Sequence, residues 1–160
     1  MMRHSGMLVF LFLLGLGASA CAATPESSLA PLKKWVGVFA LGEKNAKKIW
    51  DDPVLQAEAH KALDQEYFDL VFNGYAKQVT APVEQKGDVL FAFACKAHAC
   101  NTDQVKLFVD LAKNTIAVCV RKTGVEKDMW FSPSKPPRAL EDEGCAIADD
   151  FVIYERHGKE

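Results

Sequence analysis

Cys95, His98 and Cys100 stand within one six-residue stretch, Cys-Lys-Ala-His-Ala-Cys. Thiolates and imidazoles are metal ligands, a Cys–His pair can make a nucleophile, and neighbouring cysteines can exchange disulfides. A structural zinc site needs a fourth ligand and cysteines that stay reduced. His60 and His157 could supply imidazoles, but neither stands at a recognisable ligand spacing. Redox cysteines normally form C-x-x-C at a helix start, where the helix N-terminus lowers a thiol pKa; here four residues separate the pair. A histidine inside so small a ring lines up poorly with either sulfur, and no third group is visible to orient it. Two readings without sulfur chemistry remain. The stretch is a structural disulfide around a solvated histidine, or a stiffened loop presenting Lys96 and His98 to a partner. A loop stiffened in advance loses little ordering entropy on binding. A metal-binding or thiol-binding protein stays as the alternative.

The remaining cysteines bear on this choice. Five are present, at 21, 95, 100, 119 and 145. Residues 1–20 have the three-part layout of a secretory signal: one arginine and no acid, then the apolar run Met-Leu-Val-Phe-Leu-Phe-Leu-Leu-Gly-Leu-Gly, then small residues. Ala18-Ser19-Ala20 fits ordinary signal cleavage. The same stretch ending in Cys21 resembles a bacterial lipobox, although Ala18 stands where leucine is usual. Lipidation of Cys21 would leave four cysteines, an even number, in an oxidising compartment. Four cysteines allow three connectivities. Proximity in the chain favours Cys95–Cys100 with Cys119–Cys145. Chain entropy values the first closure at about 2 kcal/mol and the second at roughly 3.5, so the small ring matters more for local rigidity than for stability.

Losing residues 1–20 removes Arg3 and no acid, which moves the net charge from −2 to −3. A mildly acidic surface suits a basic partner and not nucleic acid or an anionic membrane. The expected organisation is a signal peptide at 1–20, a small, polar, proline-bearing tether at 21–31, and a single domain at 32–160.

The elements that must position the loop follow from periodicity. Asp52 as cap and Pro53 in the first turn predict a helix start. Leu55, Ala59, Leu63, Tyr67 and Leu70 recur at helical spacing, with a break expected near Asp64 and a left-handed closure at Asn73-Gly74. Strands are expected at 89–95, 104–110, 114–121, 127–132 and 150–156, joined by turns at Lys86-Gly87-Asp88, Lys113-Asn114 and Lys122-Thr123-Gly124. The expected fold class is α+β, a small antiparallel sheet of about five strands with an amphipathic helix packed on one face. Residues 135–145 read as a turn and short helix brought in by Cys145. Trp35, Trp50 and Trp130 read as core rather than as sugar platforms. His60 and the acidic runs 141–143 and 149–150 read as solvated.

The order of exported leader, helix, strand ending in Ala-Cys-Lys-Ala-His-Ala-Cys, then Asp-Gln-Val-Lys-Leu-Phe-Val-Asp and Asn-Thr-Ile-Ala-Val-Cys-Val, resembles the Ivy family, the periplasmic inhibitors of vertebrate lysozyme. That family carries C-K-P-H-D-C at this place. The match holds at Cys95, Lys96, His98 and Cys100, and departs at Ala97 and Ala99. The strand pattern extends the similarity over roughly residues 85 to 135. The resemblance implies a protein that is not an enzyme and needs no cofactor. It implies a partner-binding loop, Lys96, Ala97, His98 and Ala99, that enters the cleft of a c-type lysozyme. There the histidine would engage two catalytic carboxylates, whose charge favours the imidazolium. The acidic chain would also be steered toward a basic lysozyme.

The departures carry expectations of their own. Ala97 gives up the backbone restriction of proline, and Ala99 gives up a hydrogen-bond acceptor. Weaker lysozyme inhibition is therefore expected, with the cell's own lytic transglycosylase, or a non-inhibitory paralogue, as alternatives. The resemblance also implies a periplasmic site and allows a homodimer, and the lipobox-like stretch ending in Cys21 would add an outer-membrane anchor.

Overall fold

The structure is a computed structural model that describes residues 27–38, 47–141 and 144–158. The leader and Cys21 lie outside the described residues. Where the described chain begins, Leu29 and Leu32 are already buried and a short 3-10 helix runs over Ala30–Trp35.

The helical layer is built from its caps. Asp52 accepts a hydrogen bond from the Val54 N–H at 2.9 Å and Pro53 fills the first turn, which starts α1 (Pro53–Ala62). Leu63 turns to extended geometry, and Asp64 caps a new start by accepting from the Tyr67 N–H at 2.9 Å. The result is α2 (Gln65–Phe68). The break resets the helical phase. Burial therefore passes to Phe68, Val71 and Phe72, while the expected Tyr67 and Leu70 are only half-buried. The run widens into a π-helical turn at Asp69–Gly74 and tightens into a 3-10 turn at Tyr75–Lys77. The expected left-handed closure is absent: Gly74 has φ −97, and the Asn73 amide donates back to Asp69 at 2.7 Å.

The sheet has seven strands: β1 (Val79–Thr80), β2 (Glu84–Lys86), β3 (Val89–Cys95), β4 (Gln104–Asp110), β5 (Thr115–Arg121), β6 (Met129–Phe131) and β7 (Arg138–Ala139). Its order is β1-β3-β4-β5-β6-β7, with β2 alongside β1 on the same edge of β3, and these strands all pair antiparallel. The turns fall where expected, with Gly87, Asn114 and Gly124 at positive φ.

Four of the five expected strands are present, and the fifth is not a strand. Residues 150–156 lie in α3 (Asp150–His157). Asp149 accepts from the N–H groups of Phe151 and Val152, and Ile153, Tyr154 and His157 form the buried stripe. These caps override the β-favouring composition of Phe-Val-Ile-Tyr. The expected α+β class and the helix on one face hold, and α3 covers the second face as well. Leu90, Ala92, Val105, Leu107, Ile116 and Val118 meet Leu55, Ala59, Phe68 and Val71 on one side. Phe91, Phe108, Ala117 and Trp130 meet Ile153 and Tyr154 on the other. All seven residues of β4 are buried in consequence.

Lys106 is buried on the second face and pairs with Asp150 at 2.6 Å while donating to the Ile147 carbonyl at 2.9 Å. Of the Asp149-Asp150 pair, Asp149 is exposed as expected and also caps α3, while Asp150 is the ion-pair partner of a buried lysine. Residues 135–145 supply β7 and a 3-10 turn at Gly144–Ala146. Trp50 and Trp130 are core, and the half-buried Trp35 donates its indole N–H to Asp52 at 2.8 Å. His60 is exposed and stacks on Phe68, with ring centroids 3.5 Å apart.

Candidate functional site

Strand β3 ends at Cys95 and β4 begins at Gln104, and these two residues are paired. Residues 96–103 are thus the connector between two largely buried strands. Cys95 and Cys100 are bonded, with Cα atoms 4.9 Å apart, and Cys95 is fully buried. Cys119 and Cys145 form the second disulfide. Lys96 and His98 are exposed, whereas Ala97 and Ala99 are partly buried between them. His98 has φ 66, in the left-handed region that few residues other than glycine enter. The loop thus turns an imidazole outward from a root that is closed covalently.

Hydrogen bonds close the ring from within. The Ala99 N–H donates to the Lys96 carbonyl at 3.0 Å, and the Thr102 and Asp103 N–H groups both reach the Ala99 carbonyl, at 3.0 and 2.8 Å. The Lys96 N–H donates to the Asp103 carbonyl at 3.0 Å. Outside the ring, the Ala97 N–H donates to Gln78 Oε1 at 3.0 Å. Proline could not make that bond, so the residue expected to loosen the loop instead supplies a contact.

Asp103 is the hub at the far end of the loop. Its carboxylate accepts from Tyr75 Oη at 3.2 Å, from the Thr123 N–H at 3.2 Å and from Thr102 Oγ1 at 3.0 Å, and also from the Thr123 hydroxyl. The Thr123 hydroxyl is the largest influence holding this carboxyl below the usual carboxylate range. It acts against burial and is aided by the Thr123 amide, Thr102 and Tyr75. Burial pushes the Tyr75 phenol up, and the Asp103 charge adds to this. Beside them, Arg121 donates to the Asn101 carbonyl at 3.4 Å and forks onto Asp128, whose Oδ2 also receives the Cys145 N–H at 2.7 Å. The second disulfide is therefore linked through Arg121 to the same loop.

Sequence reasoning singled out Lys96, Ala97, His98 and Ala99, and the structure brings them together on one turn. It missed Tyr75, Gln78, Asp103 and Thr123. Tyr75 opens a short 3-10 turn and the other three lie in turns between elements, where no periodicity marks them. His60 and His157 lie on α1 and α3, and among the described residues no cluster of three His, Cys, Asp or Glu side chains could hold a metal ion. A cavity of about 710 Å³ opens at the other end of β5, lined by residues including Thr115, Trp130 and Tyr154, and it contains none of the loop. A projecting loop needs no cavity of its own.

A family model described as Inhibitor of vertebrate lysozyme (Ivy) matches residues 54–145, more than half of the chain and inclusive of the loop and all four bonded cysteines. No curated protein and no solved structure matches.

Proposed function

Because the chain belongs to the family of inhibitors of vertebrate lysozyme (Ivy), we propose that it inhibits a c-type lysozyme by inserting residues 96–99 into the active-site cleft. The observation that carries this reading is the exposed His98, held at φ 66 on a ring closed by Cys95 and Cys100. Such an enzyme works with two carboxyl groups, one of raised pKa and one ionised. An imidazole donates to either, and the exposed Lys96 ammonium adds a second positive charge two residues away. Occlusion then needs no chemistry from the inhibitor, which holds its donors in place and excludes substrate. The rest of the chain is net acidic, which favours encounter with a basic enzyme, while the cationic tip meets the acidic cleft.

The reading places the protein in the periplasm. The leader-like residues 1–20 support this, as does the pairing of Cys95, Cys100, Cys119 and Cys145 in two disulfides. Lipidation at Cys21 would add an outer-membrane anchor.

The test is a turbidity assay of peptidoglycan lysis by c-type lysozyme, titrated with the wild-type protein and with His98→Ala. A central contact of this kind is worth on the order of tenfold to a hundredfold in inhibition. Equal inhibition by the two proteins would remove the loop mechanism and leave only the family relationship.

A further inference from the structure

The Lys96 carbonyl accepts from the Ala99 N–H at 3.0 Å, so residues 96–99 form a β-turn with Ala97 second and His98 third. Positive φ occurs at the third position and not at the second, as in a type II turn. Such turns are commonly stiffened by proline at the second position, which fixes φ there. Ala97 has no ring to do this. Its N–H takes no part in the turn's own hydrogen bond and is free to be gripped from outside, and Gln78 Oε1 receives it at 3.0 Å.

Gln78 is itself well placed for this. Val79 pairs with Cys95, so Gln78 sits next to the root of the loop. Its backbone N–H donates to the Tyr75 carbonyl at 2.9 Å, and its Nε2 reaches the Gly74 carbonyl at 3.4 Å. The same short turn sends the Tyr75 hydroxyl to Asp103. The irregular ending of the helical run thus holds the loop from both sides, Gln78 at its entry and Tyr75 at its exit.

We propose that Gln78 is a positioning residue: by holding the Ala97 amide it fixes the corner that aims His98. The inference rests on the loop mechanism proposed above. It requires an acceptor at 78 only while residue 97 carries an N–H.

The experiment compares Gln78→Leu and Gln78→Glu, each with Ala97 and with Ala97→Pro. The readouts are Ala97 amide hydrogen exchange, urea unfolding and lysozyme inhibition. With Ala97 in place, Gln78→Leu moves the Ala97 amide toward the unprotected exchange rate. It weakens inhibition roughly threefold to tenfold, the range for one hydrogen bond, while the urea midpoint falls by no more than about 0.5 M. Gln78→Glu keeps an acceptor and restores both amide protection and inhibition. In the Ala97→Pro background, Gln78→Leu changes inhibition by less than about twofold, since no amide is left to hold. An equal effect of Gln78→Leu in both backgrounds, or unchanged Ala97 protection, overturns the proposal. Should wild type fail to inhibit any c-type lysozyme, the functional reading fails separately. Ala97 exchange then decides the clamp alone: protection lost in Gln78→Leu supports it, and protection retained overturns it.

Discussion

Asp103→Asn isolates the charge that anchors the loop. The wild-type carboxylate receives four donors: Tyr75 Oη, the Thr123 N–H and the hydroxyls of Thr102 and Thr123. Asparagine placed with its oxygen at the Oδ1 position keeps the two donors there, Tyr75 and the Thr123 amide. Its NH2 then faces two hydroxyls, which can rotate to accept. What is lost is the charge assistance on these bonds, about 1 kcal/mol for each at most and shared among neighbours, giving roughly 2 kcal/mol in all. With a urea m-value near 2 kcal/mol/M, the unfolding midpoint should fall by about 1 M at pH 7. The pH dependence has a fixed sign. The Asp103 pKa is lowered in the folded state from 3.8, so its contribution is complete above the unfolded value and disappears as pH falls through the folded one. Urea unfolding of both proteins with disulfides intact, at pH 7 and again at about pH 2, measures this. The gap between wild type and variant should narrow at the acid end, because protonating Asp103 makes it resemble asparagine. Equal midpoints at pH 7, or a gap that persists undiminished at low pH, would refute the assignment of Asp103 as a charged hub.

Other perturbations separate stability from aim. Replacing Cys119 and Cys145 together by serine should cost roughly 3.5 kcal/mol in a thermal melt, whereas replacing Cys95 and Cys100 should cost about 2 yet lose more inhibition. Asp150→Ala strips the buried Lys106 ammonium of its partner, leaving the Ile147 carbonyl. It should cost about 2–3 kcal/mol, and a double variant with Lys106→Met should recover most of that on denaturation. Gly144→Ala adds a Cβ 2.6 Å from Asp128 Oδ2 at a residue with φ +54. Displacing Asp128 weakens its hold on Arg121 and the Cys145 amide, and the melting temperature should drop by roughly 5–10 °C.

Strands β3 to β5 were legible because each is seven residues long and bears its own alternation. Helix α1 was legible because Asp52 and Pro53 announce it. The same capping logic was available at 149–158, where two aspartates open the segment and a glycine follows it. There the run of β-favouring residues Phe151, Val152, Ile153 and Tyr154 competed with the caps, and reading that composition as a strand hid the second covering layer. The two-residue strands β1 and β7 carry no period at all. The loop residues were found through their unusual types and spacing, and both disulfides through proximity. Gln78 was out of reach for a different reason. Its relation to Ala97 exists only through the register that sets Val79 opposite Cys95, and nothing local to residue 78 encodes that register.

The burial of β4 along its whole length bears on which enzymes the proposed plug could stop. A plug rooted between two packed layers has nowhere to retreat when the socket is a poor match, since backing off would disturb both. Adjustment must then come from the receiving enzyme. Selectivity would consequently track the width and give of each candidate cleft, with a slightly narrower one refused outright instead of being entered less deeply.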